Sequence, residues 1–559
     1  MRSPSVKDSL AILLAVLLLS CSPTKPSFDV LILNGRIVDG TGNSWYYGDI
    51  GINGDKIAEI GKLSDRTAKE TIDAKGKIVT PGYIDMLGWS GMNVIVDGRA
   101  MSKISQGITT EVIGEGVSVA PVNDKAAKER QGFLQKHGVK ETWSDFNGYF
   151  MLLEEKGSAI NVASFVGATQ VRICVIGYDD RDPTSDEMDQ MKALVREAME
   201  QGALGVGTSL IYAPASYATT QELMELTKVA AEYGGMYISH IRDEGDDGRQ
   251  VEAIYEAADI GKSANCPVEI WHLKVAGRRN WGQMADIVRL IHQLRTEGLD
   301  ITADVYPYIA SSNDLDASLP TWVLDGGREK ELERLADPEQ RKKMKEEMRK
   351  SYGGAGIPFQ DIMISAVAAD SLKRYEGRRM MEVATMWKLD PYEALFEFLL
   401  RDSARTDKIT FSMSEPDLRM AMAQPWTSFC TDASSKGLDG PFNEGKPHPR
   451  AYGSMARVLG TYVRDEKILS LEDAVRKMTS QPAQRVGLKG RGILKPGFYA
   501  DVVVADLENV TDKATFESPH QYSVGIEHVF VNGKPVWQKG SFADNFPGRG
   551  LRGPGYRGD

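Results

Sequence analysis

The chain has 559 residues, of which 42% are hydrophobic and 26% are charged. This length suits one large catalytic domain with a smaller partner, and the ordinary composition argues against a wholly disordered chain. The net charge of -11 argues against a nucleic-acid partner, because binding phosphates requires clustered Lys and Arg. We attribute the acidic balance to a solvated surface.

The first segment is typical of an export signal. Two basic residues precede an apolar run, Leu10 to Leu19, which is too short to span a bilayer as a mature helix. The Leu-Leu-Ser-Cys that follows resembles the lipobox of bacterial lipoproteins. This resemblance implies that residues 1–20 are a lipoprotein signal peptide and that Cys21 anchors the chain to a membrane through a lipid. Ser22 implies an outer-membrane protein facing the periplasm. A plain secretory peptide is the alternative, and it also exports the chain.

Two segments near the chain ends predict β-structure. Residues 28–80, after a tether at 21–27, and residues 491–545, before a tail at 546–559, alternate apolar and polar side chains. Asn-Gly dipeptides between alternating runs predict hairpins. They are Asn34-Gly35, Asn53-Gly54 and Asn532-Gly533. Because the two segments bracket a long middle, we expect one small β-sandwich domain formed from both chain ends.

The middle of the chain, residues 81–490, alternates short apolar runs with helical stretches, a pattern typical of βα units. The eight candidate strands are Ile78–Met86, Thr109–Glu115, Val162–Gly167, Leu204–Ser209, Met236–His240, Val268–His272, Ile301–Tyr306 and Thr427–Asp432. Thr184 and Glu187 form a capping-box pattern at the start of a predicted helix, and Gly202 can end that helix. We therefore predict an α/β fold, a (β/α)8 TIM barrel, with a helical insertion at about 319–405 before strand eight.

Three polar residues end predicted barrel strands. His240 ends MYISH, His272 ends VEIWH and Asp432 ends TSFCTD. Because barrel active sites form at the carboxyl ends of the strands, we expect these side chains to converge. Two imidazoles and a carboxylate predict a metal site that keeps a position open for water. One such histidine alone would more often be structural, but three residues at three strand ends favour the site.

Motifs in the middle of the chain resemble those of one enzyme family. GALGVGTSLIYAPASY, SHIRDEGD, WHLKVAG, TADVYPYIASS and HPRAYGSMARVLGTYVR are similar to motifs of the N-acyl-D-amino-acid deacylases (D-aminoacylases), in the amidohydrolase superfamily. The likeness runs in order from about Phe28 to Phe542. It implies a metal-dependent hydrolase that cleaves the linear amide of an N-acyl-D-amino acid. The D-selectivity rests on the resemblance alone.

The chain departs from this family at the metal site. Superfamily members usually carry His-x-His after the first strand, where this chain has Leu87 and Trp89, and the deacylases usually carry a histidine at the position of Ala168. The deacylases' strand-two cysteine ligand aligns with Glu115, and a carboxylate can replace a thiolate. In this family the weak second metal site uses the His-x-His. The absence of that motif here predicts that the chain binds one divalent ion. The predicted ligands are Glu115, His240 and His272. We expect zinc, although the harder carboxylate can favour manganese or iron; an inert loop carboxylate is the alternative for Glu115.

The resemblance also implies a site for the substrate carboxylate. The matching residues are Lys274, Tyr306, Ser312 and Arg450. An N-acyl amino acid carries one fixed negative charge, which an arginine can bind bidentately. For Lys274 or Arg450 taken singly, the alternative to binding the substrate carboxylate is a solvated charge on the protein surface. Arg242 and Asp243 follow His240 and are candidates to orient the metal ligands.

Asp432 is the predicted catalytic residue, which takes a proton from water and passes it to the leaving nitrogen. Two other functions stay open. Cyclic-amide hydrolases of the hydantoinase or dihydroorotase type share the superfamily, but they usually bridge two metals with a strand-four lysine that LGVGTS lacks. The other alternative is a lipoprotein that binds acylated amino acids or peptides without turnover.

Overall fold

The computed structural model describes residues 27–558, apart from the side chains of residues 129, 352 and 353. The predicted signal peptide and the predicted lipid site at Cys21 lie outside these residues. Within residues 27–558, no helix is both long enough and apolar enough to cross a bilayer.

The two ends of the chain build one β domain, as expected. Its sheet has nine strands: Phe28–Ile37, Tyr46–Asn53, Lys56–Gly61, Ala68–Asp73, Ile78–Pro81, Val502–Ala505, Ile526–Val531, Lys534–Gln538 and Ser541–Phe542. The two ends join where Ile78–Pro81 pairs antiparallel with Val502–Ala505. Ile32 and Ile50 from the N-terminal part share a buried cluster with Phe530 from the C-terminal part. The apolar face of neither part is therefore buried without the other.

The three Asn-Gly dipeptides behave differently. Asn53-Gly54 and Asn532-Gly533 connect paired strands as predicted. The hairpin predicted at Asn34-Gly35 is wrong, because these residues form a bulge inside the strand Phe28–Ile37. Asn34 has φ 60, and its backbone N–H donates to the Asp49 carboxylate at 2.8 Å. The extra residue of a bulge needs this kind of irregular backbone and side-chain partner.

The middle of the chain forms the predicted TIM barrel. Its parallel strands are Tyr83–Asp85, Ile108–Ile113, Asn161–Ser164 continued by Val166–Gly167, Gly205–Ser209, Met236–His240, Val268–Ile270, Ile301–Val305 and Thr427–Phe429. The third strand is divided: its first part pairs with strand two and its second part with strand four. Strand eight meets strand one through a hydrogen bond from Met86 N to Phe429 O and a parallel bridge between Gly88 and Ala433. The carboxyl ends of all eight strands consequently face one mouth.

The first predicted strand, Ile78–Met86, is divided between the two domains. Its first half belongs to the nine-stranded sheet of the β domain and its second half to the barrel. The break lies at Gly82, whose N–H donates to Asp501 O at 2.9 Å. A Cβ at this position would stand 2.1 Å from the Thr109 hydroxyl oxygen, so the crossing between the domains needs a glycine.

Helices follow the barrel strands and fill the insertion. Their bounds are Asn93–Val96, Met101–Ile104, Asp124–Lys136, Phe146–Lys156, Ala168–Val175, Ser185–Glu200, Thr220–Glu232, Gln250–Ala264, Met284–Thr296, Arg328–Ala336, Pro338–Met348, Ser351–Gly354, Met380–Trp387, Pro391–Arg401, Glu415–Met422, Arg450–Arg457, Leu471–Met478 and Ser480–Arg485. Thr184 and Glu187 form the predicted capping box, and Gly202 follows the end of that helix with φ 97.

The segment before strand eight has its own core but is not purely helical. Its strand Ile362–Ala366 forms an antiparallel sheet with Ser311–Asp314 and Asp407–Thr410. The composition of residues 319–405 predicted only helices, because the strand is short and its partners lie outside that range. This sheet brings Ser312 close to the residues that follow strand eight.

Candidate active site

The three predicted metal ligands lie together at the barrel mouth. Glu115 Oε1 is 2.7 Å from His240 Nδ1 and 3.3 Å from His272 Nε2. One potential ligand atom from each side chain lies within 4.8 Å of the other two, and all three side chains are buried. A carboxylate and two imidazoles are a usual donor set for zinc at a catalytic site. Among residues 27–558, no other group of three His, Cys, Asp or Glu side chains has this geometry.

The backbone near the strand ends turns these side chains inward. Glu115 lies two residues beyond its strand, between Gly114 (φ 107) and Gly116 (φ 68). His272 also lies beyond its strand, has φ 37, and donates its backbone N–H to Asp304 Oδ1 at 2.8 Å. The sequence predicts strands that end at Glu115 and His272, whereas the observed strands end earlier, at Ile113 and Ile270. Such positive φ values are rare outside glycine and persist only where neighbouring groups hold them.

The ligand cluster is strongly polarised. Burial would raise the pKa of Glu115, but hydrogen bonds with His240 and His272 outweigh it and lower that pKa to about 2. Burial and Lys274 lower the pKa of His272, whereas Glu244, Asp432 and Glu115 outweigh them and raise it to about 10. The metal-free cluster therefore holds a carboxylate beside a protonated imidazole at neutral pH. To bind here, a divalent ion must displace the proton from His272. The negative charge of Glu115 is already present before the ion binds.

Glu244 was missed in the sequence and contacts both histidines from the side opposite Glu115. Its carboxylate lies 3.4 Å from His240 Nε2 and 3.1 Å from His272 Nδ1. It also accepts a hydrogen bond from Lys274 Nζ at 2.5 Å. A carboxylate that contacts the outer nitrogen of a ligating histidine fixes the ring orientation. Its position in SHIRDEGD, four residues after His240, was the available signal.

Arg242 and Asp243, the predicted candidates for orienting the metal ligands, contact other groups. Arg242 binds the Glu256 carboxylate at 2.9 Å and two backbone carbonyls. Asp243 accepts hydrogen bonds from the backbone N–H groups of Gly245 and Asp247. Both residues therefore hold the loop after strand five in shape, and Glu244 contacts the histidines directly.

The predicted carboxylate site is only partly free to bind an anion. Lys274 Nζ is engaged by Glu244 and lies 2.9 Å from His272 Nδ1. Burial lowers the pKa of Lys274, but Glu244 outweighs it and raises that pKa, so the ammonium stays charged. Tyr306 is buried, and its ring lies 4.5 Å from the guanidinium carbon of Arg450. Ser312 contributes its backbone oxygen, which accepts from Arg450 Nη2 at 3.2 Å.

Asp432 lies three residues beyond strand eight, and different groups contact its two oxygens. Trp89 Nε1 donates to Oδ1 at 3.1 Å, and Arg450 Nη1 forms an ion pair with Oδ2 at 2.8 Å. Asp432 has φ 46, and its backbone N–H donates to Leu87 O at 2.8 Å. The predicted catalytic carboxylate therefore lies at the same barrel mouth, and its negative charge helps to raise the pKa of His272.

The positions where this chain departs from the family hold no metal ligand. Leu87 is fully buried and packs in an apolar cluster with Ile84 and Trp271. Trp89 contacts Asp432 through its indole N–H. Ala168 begins a helix. Within residues 27–558, the group of Glu115, His240 and His272 is consequently the one set of three potential metal ligands at the mouth.

Tyr212, in the motif GALGVGTSLIYAPASY, is a further polar residue beside the ligand cluster. Its ring lies 5.3 Å from the ring of His240, and its hydroxyl accepts from Asn313 Nδ2 at 3.2 Å. Burial, and then Glu115, raise the pKa of Tyr212 well above its usual value. The phenol therefore keeps its proton and can donate a hydrogen bond beside the ligand cluster.

Comparisons with known proteins point to one family. A model of the amidohydrolase family matches residues 434–537. The D-aminoacylase of Alcaligenes xylosoxydans xylosoxydans is 35% identical over 535 residues, which cover 95% of this chain and 99% of that protein. A second match is the N-acyl-D-glutamate deacylase of Bordetella bronchiseptica, whose structure was solved with zinc and a phosphonate mimic of the tetrahedral intermediate. It is 33% identical, and the structures match with a TM-score of 0.78 over 94% of this chain and 99% of the other. An L-hydantoinase from Arthrobacter aurescens, 19% identical with a TM-score of 0.51 over 94% of this chain and 100% of its own, shares only the fold.

Proposed function

This chain belongs to the N-acyl-D-amino-acid deacylase (D-aminoacylase) family, and we propose that it hydrolyses N-acyl-D-amino acids to a carboxylate and a free D-amino acid. One observation carries the proposal: a buried set of metal ligands lies beside a carboxylate–guanidinium pair, Asp432 and Arg450. Metal-assisted hydrolysis of an N-acyl amino acid would use these three parts: a metal ion that activates water, a base and a site for the substrate carboxylate. The preference for the D-enantiomer follows from the relatives.

The residues divide the chemistry among them. One divalent ion, zinc by preference, held by Glu115, His240 and His272, would polarise the scissile carbonyl and lower the pKa of water. Asp432 accepts a proton from the attacking water, whose oxygen bonds to the carbonyl carbon. The carbon–nitrogen bond then breaks as Asp432 passes the proton to the leaving nitrogen. Tyr212 can donate its phenol proton in a hydrogen bond to the carbonyl oxygen as negative charge develops there.

Arg450 is the group best placed to bind the substrate carboxylate. It is 3% exposed, and its Nε has no hydrogen-bond partner among the described residues. An arginine offers five N–H donors in a planar fork, so contacts with Ser312 O and Asp432 leave capacity for another carboxylate. Lys274, which Glu244 binds, adds positive charge close to the metal ligands.

The two alternatives are less well supported. A cyclic-amide hydrolase with two bridged ions needs a lysine on strand four, and Gly205–Ser209 contains none. A binding protein without turnover would not need a catalytic carboxylate next to the metal ligands. The contacts of Trp89 and Arg450 with Asp432 at the same barrel mouth support an enzyme instead.

We also propose that the protein is anchored to the outer membrane by a lipid on Cys21 and faces the periplasm. The support is the basic start, the short apolar run and the Leu-Leu-Ser-Cys sequence of the first 21 residues. The catalytic domain would then act on small anionic substrates outside the cytoplasm.

The test is turnover by the purified, metal-loaded protein on matched substrates. We expect hydrolysis of N-acetyl-D-methionine, much slower hydrolysis of its L-enantiomer, and no hydrolysis of hydantoin or dihydroorotate. The Asp432→Asn variant serves as the control, since it should keep its metal and lose turnover. Binding of N-acetyl-D-methionine without hydrolysis by the metal-loaded wild type would support the binding protein and refute the enzyme.

A further inference from the structure

Two contacts hold the Asp432 carboxylate, and only one of them is an aligned hydrogen bond. The Trp89 indole N–H donates to Oδ1 in an aligned hydrogen bond of 3.1 Å. Arg450 Nη1 lies 2.8 Å from Oδ2, but it is not aligned for a hydrogen bond and is counted among the buried atoms without such a partner. The ion pair with Arg450 therefore has charge attraction without the directional hydrogen bond of a bidentate pair.

The contact with Arg450 also conflicts with the role of Asp432 as a base. Asp432 Oδ2 is occupied by the guanidinium, so a proton from the attacking water must compete with that contact for the same oxygen. The substrate that we propose brings a carboxylate of its own, and Arg450 is the residue that would bind it. The planar guanidinium can exchange one carboxylate for another while it keeps its contacts with Ser312 O and the Tyr306 ring.

We propose that the substrate carboxylate frees its own general base: it takes Arg450 from Asp432, while Trp89 stays bound to Asp432 as a positioning residue. This inference rests on the proposed function. In the free protein Asp432 Oδ2 is paired with Arg450. In the complex Arg450 binds the substrate anion, and Oδ2 becomes free to accept the proton of the attacking water. Selection for an anionic substrate then takes place in the chemical step as well as in binding.

The first test compares N-acetyl-D-methionine with its carboxamide, which carries no anion. The wild type should have a lower kcat on the carboxamide as well as a higher KM, because Asp432 stays paired. Arg450→Met removes that partner, so kcat on the carboxamide should rise about tenfold, the usual contribution of one charge-assisted contact. On N-acetyl-D-methionine the same variant should lose kcat/KM. An unchanged or lower kcat of Arg450→Met on the carboxamide would overturn the exchange.

The second test concerns Trp89, which is 41% exposed, so its replacement leaves no buried cavity. Trp89→Phe removes the N–H donor, and kcat should fall about tenfold on both substrates with KM and bound metal unchanged. Trp281→Phe is the matched control: Trp281 is 42% exposed, and its N–H donates to Ser412 O at 2.9 Å. If Trp89→Phe behaves like Trp281→Phe, Trp89 does not position Asp432.

A binding measurement tests the exchange without turnover. N-methylsulfonyl-D-methionine keeps the carboxylate but has no amide to hydrolyse. Asp432→Asn no longer competes for Arg450 with a negative charge, so this variant should bind the sulfonamide about tenfold more tightly than the wild type in calorimetry. Equal or weaker binding would refute the inference. Absence of turnover by the wild type, with tighter binding by Asp432→Asn, would refute the proposed enzyme and leave the exchange intact.

Discussion

Glu115 stands where the resemblance to the deacylases implies a cysteine ligand, and Glu115→Gln is the most informative change. The side chain is 2% exposed, and one oxygen contacts both histidines at 2.7 and 3.3 Å. Glutamine keeps the size and shape but removes the negative charge.

The structure allows an estimate of the effect. Breaking a buried, hydrogen-bonded charge pair costs about 3–5 kcal/mol, which corresponds to roughly 10²–10⁴-fold in affinity. We therefore expect the affinity of Glu115→Gln for a divalent ion to fall by at least about a hundredfold, and activity with it. Glu115→Cys should restore metal binding and shift the preference toward zinc over manganese, because a thiolate is the softer ligand.

The assay measures bound metal and turnover on the same purified sample. Glu269→Gln is the matched control: it removes another buried barrel carboxylate, one that contacts Arg485 and Thr302 and no metal ligand. It should keep its metal. A Glu115→Gln protein that holds its full metal content would remove Glu115 from the ligand set. Loss of turnover with metal retained would assign it an acid–base role, and no change in either would make it an inert loop residue.

Three further predictions follow from the site and the sequence. Elemental analysis of the purified protein should find one tightly bound divalent ion per chain, because the end of strand one offers only Leu87 and Trp89; two ions per chain would contradict this. The pKa of His272 is raised to about 10 in the metal-free cluster, so the ring must lose a proton to bind metal. Metal affinity should consequently rise with pH from about 6 to 9, with close to one proton released per ion in calorimetry, and an affinity independent of pH would be inconsistent with that protonation state. Cys21→Ala should abolish lipid labelling and move the protein out of the membrane fraction, whereas a wild-type protein found soluble in the periplasm would refute the lipid anchor.

Much of the architecture was predictable because it depends on patterns between neighbouring residues. Alternating apolar runs and helical stretches predicted the barrel and a small β domain built from both chain ends, and the structure has both. His240 and His272 were found because a polar residue that ends an apolar strand faces the barrel mouth. Glu115 was found only through the alignment of its motif with the deacylases. Its burial between two glycines of positive φ is visible in the structure alone.

The tertiary structure decided which of these groups contact one another. Trp89 and Asp432 are 343 residues apart, and their hydrogen bond exists because strand eight closes the barrel against strand one. Glu244 contacts Lys274 and both histidines only because strands five and six are adjacent. In the same way, the bulge at Asn34 depends on Asp49 in the neighbouring strand. The sequence by itself determined which residue types stand at the strand ends, since local propensity and periodicity are properties of neighbours along the chain. The partner of each charge depended on closure of the barrel, which brings distant segments within hydrogen-bonding distance.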